Sequence, residues 1–290
     1  MTDRVHLRAD TLSLSLDPDV GGSIAAFVYN DAPLMRPAPD GNTDALTAAC
    51  FPLVPFVNRV RDGRFSFRGR TIQLADNMPG QKHPLHGQGW RNPWRVESAS
   101  ETTAELSFRH EPADWRWTYE ARQAFDLDAE GLSVRLSCRN RSNEPMPCGL
   151  GLHPYFPCTA QTVLDTGVEA VWTIDGEVMP VERVPAEGRY DLRQRLVCSQ
   201  DLDNGFDGWS GSASIRWPER DLGLTITAAA PRFQLYSPRE GGLFVAEPVT
   251  NANAALNRPE SEWEAAGLVL LGPGEETALE VRFEVSGPGG

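Results

Sequence analysis

A few polar side chains stand out because their neighbours are apolar or end a strand-like run. His153 lies in GLGLHPYFP, Gly149 to Pro157, between small, apolar and aromatic residues. His86 belongs to HPLHGQGW, His83 to Trp90, with two histidines, two glycines and a tryptophan. Glu247 follows Leu243-Phe244-Val245-Ala246, the profile of a buried strand, and a proline follows it at once. Asn58 and Arg59 interrupt FPLVPFVNRVRDGRF, Phe51 to Phe65, where two prolines preclude continuous ladder pairing. Taken singly, each has an inert alternative. A histidine in apolar surroundings is more often a satisfied core residue, His86 beside Gly87 suits a turn, and an arginine fork can simply staple loops. Glu247 is harder to dismiss, because a carboxylate in an apolar strand is rarely buried without a partner or a purpose. Taken together, they predict one cleft lined by strand ends, with Trp90, Trp94 and Trp209 as candidate stacking faces. Proton donor, proton acceptor and aromatic platform suit a neutral, hydroxyl-rich ligand such as a sugar. Nothing in the chain cradles phosphates, and no Ser or Cys sits in a nucleophile elbow.

The elements that must position these groups are strands. Leu12, Leu14 and Leu16 alternate with serines. Phe65 and Phe67 alternate with polar residues up to Gly69, and Thr71 to Leu74 returns, which predicts a hairpin. Trp115, Trp117, Tyr119 and Ala121 predict one face of a long strand. Leu132, Val134, Leu136 and Cys138 repeat the pattern, as do Leu279, Val281, Phe283 and Val285. Period-two alternation means one face buried and one face wet or covered by a second sheet. Helical signals are short: Thr43 to Ala49, and Ser261 to Ala266, where SEWE has a capping-box pattern. The 26 glycines and 23 prolines punctuate turns without forming a linker. The expectation is an all-β fold, residues 1–290 as one sandwich of large antiparallel sheets, with the SGPGG tail frayed.

Composition narrows the partners. The 290 residues carry a formal net charge of −13, which disfavours a nucleic-acid backbone as ligand. Lys82 is the only lysine beside many arginines, a bias that weakens arguments from arginine richness. No run of about 18 apolar residues predicts a membrane span, and MTDRVHLRAD lacks the pattern of a secretory signal. Five cysteines, Cys50, Cys138, Cys148, Cys158 and Cys198, form no CxxC pair and no zinc spacing. They are expected to be free, buried thiols in a reducing, cytoplasmic setting.

The order NRVRDGRFSFRGRTIQL, HPLHGQGW, GLGLHPYFP, LDNGFDGW and AEPVTNANAALN, with the earlier PDVGGSIAAF, resembles the aldose 1-epimerase (galactose mutarotase) family along nearly the whole chain. The resemblance implies a galactose mutarotase-like β-supersandwich, no cofactor and no metal. It also implies interconversion of the α and β anomers of a free aldose. Position by position, it implies that Glu247 takes the O1 proton, that His153 protonates the ring oxygen O5, and that His86 binds and polarises the same region. It gives Asn58 and Arg59 the place of the family's NR pair, with Arg59 contacting sugar hydroxyls, and Asp203 that of a hydroxyl acceptor; Trp90, a stacking face named above, is the further expected substrate-binding residue. On this reading Glu247 is anionic and His153 cationic, a state that a nearby carboxylate favours and burial opposes. PVTNANAALN stands where many mutarotases carry a glutamine and a Pro-Asp pair, so the sugar itself stays open. The expected partner is a small-molecule sugar, with no nucleic acid or membrane, and the protein a monomer or homodimer. Two alternatives share the fold: a hexose-6-phosphate 1-epimerase, for which Arg61, Arg64, Arg68 and Arg70 are candidate phosphate ligands, and a non-catalytic sugar-binding or sensing protein.

Overall fold

In the computed structural model, which describes residues 4–287, period-two alternation is realised as two large antiparallel sheets. The last three residues of the SGPGG tail lie outside the described residues. One sheet has 11 strands and the other nine, accompanied by two separate two-stranded sheets. Every named strand pairing is antiparallel. The main core fills the space between the sheets. The site-bearing sheet contributes Leu152, Phe156, Phe233, Leu235, Phe244 and Ala246, and the other contributes Phe125, Leu132, Leu136 and Phe283, all nearly inaccessible. Burial of such apolar area, at roughly 25 cal/mol per Å2, is what holds two twisted sheets face to face. Among the described residues no helix is long and apolar enough to cross a membrane.

The predicted hairpin forms as Arg64–Phe67 against Arg70–Gln73. Arg68 and Gly69 take positive φ at its turn, 49° and 73°. Leu132, Val134, Leu136 and Cys138 lie on the Gly131–Asn140 strand as expected, and Leu279 to Val285 on Glu276–Ser286.

Three expectations need correction. The long tryptophan strand begins only at Tyr119, in Tyr119–Leu127. Trp115 and Trp117 precede it in irregular chain, fully buried, because the two indoles pack on each other and on Phe65 rather than following a pleat. The two helical signals yield only single 3-10 turns, Ala45–Thr47 and Glu260–Glu262. The second starts behind Pro259 and has no side-chain cap hydrogen bond, so the capping-box pattern is not used. Finally, Cys158 and Cys198 form a disulfide, Cα atoms 5.7 Å apart, across 40 residues of chain. Folding brings the end of the His153 strand against a distant loop, a proximity that spacing alone does not reveal. Cys50, Cys138 and Cys148 are free and buried as expected. The cytoplasmic expectation leaned on free thiols throughout and loses that support.

Candidate active site

The centre of the 11-stranded sheet runs in the order Cys50–Leu53, Gly151–Pro157, Leu243–Val249, Arg232–Ser237, Leu202–Asp207. On these strands Leu152, Phe244, Phe233 and Leu235 point into the inter-sheet core, so their odd-even partners face away from it. Gly151 pairs with Val249 and Tyr155 with Val245, which sets His153 across from Glu247. His153 also pairs with Phe51, Glu247 with Gln234, and Gln234 with Gly205. Phe51, His153, Glu247, Gln234 and Gly205 therefore form one row across five strands. The next row along the strands is Tyr155, Val245, Tyr236 and Asp203. His153 and Glu247, expected at strand ends, lie in mid-strand instead, whereas Asn58, Arg59 and His86 sit in chain outside the strands. Pro154 and Pro248 do not terminate their strands, because both strands continue past them.

Above these rows is a cavity of about 380 Å3. His153, Glu247, Asp203, Gln234, Tyr155 and Tyr236 contribute its floor, and Asn58, Arg59 and His86 one wall. Six of the seven residues singled out from sequence thus converge. The seventh, Trp90, does not line this cavity. Its ring stacks on Phe51 at 5.5 Å and its indole N–H donates to the Leu85 carbonyl at 3.3 Å, behind the wall. Trp94 and Trp209 belong to the main core and offer no stacking face.

His153 Nε2 stands 3.6 Å from Glu247 Oε1. The other ring nitrogen of His153 and the other oxygen of Glu247 are buried with no hydrogen-bond partner among the described residues. Phe51 stacks on the imidazole at 4.4 Å and 13°, which fixes the ring plane. Burial pushes His153 down from 6.5 to about 3, and Arg36 nearby adds to this. Burial raises Glu247 well above 4.5, reinforced by Asp203 and opposed by Arg59. Both directions favour the neutral forms over the expected imidazolium–carboxylate pair, and burial is the main cause of each. The two arrangements hold the same number of protons and differ by one transfer across the pair.

His86 has φ of 63°, and Gly87 after it 70°. A side chain at Gly87 would collide with the Val54 carbonyl, so this turn needs a glycine. His86 Nδ1 accepts the Asn58 backbone N–H at 3.2 Å, which leaves Nε2 as the protonated nitrogen of the neutral ring. Burial holds its pKa well below 6.5, with His153 and Arg59 acting the same way. Arg59 donates to Asn58 Oδ1 at 3.1 Å and lies 3.5 Å from Asp203. Gln234 donates to Asp203 at 2.7 Å. Asp203 is still pushed upward, because burial outweighs Arg59 and Gln234.

The TNANAALN stretch explains how Arg59 is placed. Asn251 accepts Val57 N–H at 3.1 Å, Asn253 accepts Arg59 N–H at 3.1 Å, and Asn257 accepts Arg61 N–H at 2.7 Å. Three asparagine side chains stand in for a strand partner where prolines have bent the chain out of the sheet. Asn253 also donates to the Val178 carbonyl at 2.9 Å, tying down the loop that brings Val178 to the cavity. No group of three or more His, Cys, Asp or Glu side chains among the described residues is arranged to hold a metal ion.

A family model for aldose 1-epimerase matches residues 3–284. The chain belongs to the aldose 1-epimerase family. Family likeness extends to the uncharacterized protein YphB of Escherichia coli K12, 35% identical over 288 residues, 94% of this chain and 96% of YphB. A solved structure of a candidate aldose 1-epimerase from E. coli K12 superimposes with a TM-score of 0.89 at 31% identity, covering 98% of this chain and 99% of that one. A galactose mutarotase-like protein from Clostridium acetobutylicum shares the fold, with a TM-score of 0.87 at 16% identity over 97% of this chain and 94% of that one. These likenesses bear out the all-β, galactose mutarotase-like fold expected from the motifs.

Sequence reasoning missed Gln234, Tyr155 and Tyr236 as lining groups of this family member. The signal was present for two of them: Phe233 and Leu235 alternate with Gln234 and Tyr236, so the polar pair had to leave the core. What alternation cannot say is that their face is a cavity floor rather than open surface.

Proposed function

We propose that this protein is an isomerase that interconverts the α and β anomers of a free aldose. The observation that carries this reading is the in-register apposition of His153 and Glu247, 3.6 Å apart on a cavity floor lined by further polar side chains. Mutarotation removes a proton from O1, delivers one to O5, rotates the aldehyde about C1–C2, and reverses the transfers on the other face. No net proton is consumed, which matches a pair that shares one. Glu247 lines the cavity, and an O1 hydroxyl that donates to its carboxyl stabilises the carboxylate. Arg59 favours the anion as well. Binding thus draws the proton from Glu247 toward His153, the distribution in which Glu247 is base and His153 acid. Each transfer contributes typically ~10²–10⁴-fold when well placed. His86, with Nε2 as donor, and Arg59 and Asp203 bind the remaining hydroxyls.

The phosphate alternative has less support. Arg61, Arg64, Arg68 and Arg70 are exposed and none lines the cavity, where Arg59 is already committed to Asn58 and Asp203. Polarimetry on freshly dissolved α-glucose and α-galactose, with glucose 6-phosphate for comparison, tests the reading. Sugar binding without faster anomer exchange sinks the isomerase and leaves a sugar-binding protein.

A further inference from the structure

A second cavity of about 300 Å3 adjoins the first, and Leu46 and Met78 line both. Its other groups are mixed: the Trp90 ring, the Arg91 guanidinium, the Thr43 hydroxyl and the Asp44 carboxylate among them. Trp90 keeps one side on Phe51 and has Arg91 5.4 Å from its ring centre. Both cavities are of small-ligand size, and each combines apolar surface with a few polar groups, the make-up of a sugar site. The ridge between them includes a leucine and an adaptable methionine.

The direction of the second cavity is set by the row on the floor. Glu247, His153 and Phe51 follow one another across neighbouring strands, and Trp90 stacks beyond Phe51. The second cavity therefore lies past His153, on the side away from Glu247. With O1 at Glu247 and O5 at His153, ring atom C5 and its C6 arm extend toward that side. This placement rests on the roles proposed above.

We propose that the second cavity is a subsite for a neutral sugar residue joined through C6 of the reacting aldose, so that the enzyme accepts the reducing end of 1→6-linked disaccharides. The carboxylates Asp19 and Asp44 beside a single guanidinium make the compartment unsuited to a phosphate on the same arm. The ligand stays within the aldose class: C1 is free, no glycosidic bond is broken, and the second residue adds only binding.

The test compares isomaltose with glucose. Thr43 and Arg91 are exposed and outside the catalytic cavity, so Thr43→Trp fills the compartment and Arg91→Ala strips its cation without touching the reacting groups. The expected result is a fall of tenfold or more in kcat/KM for isomaltose in either variant, with glucose unchanged within twofold. Equal losses on both sugars, or turnover of glucose without turnover of isomaltose, overturn the subsite. Calorimetry on Glu247→Gln separates this from the chemistry. Isomaltose should bind at least tenfold tighter than glucose, and adding Thr43→Trp should erase the difference. Equal affinities overturn the subsite even if mutarotation stands. A preference for isomaltose upholds it even if mutarotation fails.

Discussion

The side-chain amide of Gln234 donates to Asp203 at 2.7 Å and not to Glu247, its partner in register on the neighbouring strand. Glu247 is flanked by His153 on one side and Gln234 on the other, yet one of its oxygens has no hydrogen-bond partner. A buried carboxyl left short of donors costs free energy. The floor therefore carries a stability cost at the group proposed to react.

Replacing Glu247 by Gln should reveal that cost. A carboxyl whose folded pKa is raised above 4.5 keeps its proton while the unfolded chain releases it. It is therefore neutral in its effect at low pH and costs stability as pH rises from 4.5 toward its folded value. Glu247→Gln is expected to abolish mutarotation, leave sugar affinity within a few fold, and raise Tm more at pH 7.5 than at pH 4. A Tm difference that does not change with pH would remove the buried-carboxyl account.

His153 works in the opposite sense. With a folded value of about 3 against 6.5, it stays neutral while the unfolded chain takes up a proton. Stability is then lost as pH falls from 6.5 toward 3, with a limiting slope of roughly 1.4 kcal/mol per pH unit. His86 is depressed for the same reason and steepens the same limb. Imidazole NMR on the free protein should find both rings neutral at pH 5. A resonance of His153 titrating near pH 6.5 would contradict the geometry.

Gln234→Ala removes the amide that donates to Asp203 and leaves His153 and Glu247 in place. KM is expected to rise about tenfold, the equivalent of one hydrogen bond to a charged group at ~1.5 kcal/mol, with kcat changed less than threefold. A collapse of kcat with KM unchanged would place Gln234 in the chemistry instead.

The asparagine brace predicts action at a distance. Asn253→Ala frees both the Arg59 N–H and the Val178 carbonyl. A loss of about 1–3 kcal/mol in stability is expected from two stranded backbone groups, together with a several-fold higher KM as Arg59 shifts. Asn253→Asp keeps the acceptor for Arg59 and should recover most of the KM. Equal KM values in the two variants would leave the brace a purely structural one.

The Cys158–Cys198 bridge is open to direct counting. Denatured, unreduced protein should react with thiol reagent at three cysteines and reduced protein at five. Closing a 40-residue separation is worth up to about 4 kcal/mol by loop entropy, so reductant should lower Tm. Five reactive thiols before reduction would restore the fully reduced expectation.

Much was legible before any coordinates. Period-two alternation set the fold class, because strands half-buried in a sandwich must alternate whatever their partners are. The combination of HPYF, LHG and the NR pair marked His153, His86, Asn58 and Arg59, and an acid after four apolar residues marked Glu247. These are local signals, carried by residue types that are costly to bury. Other properties depend on residues far apart in the chain. Register alone put His153 opposite Glu247, 94 positions further along the chain. Depth in the sheet pushes both groups toward their neutral forms, since desolvation is a property of surroundings and not of type. Packing turned Trp90 onto Phe51 and out of the first cavity. Cross-strand neighbours brought in Gln234 and Tyr236, and chain return joined Cys158 to Cys198. Side-chain chemistry is written residue by residue, whereas distance, burial and charge state arise only when separate strands are laid side by side.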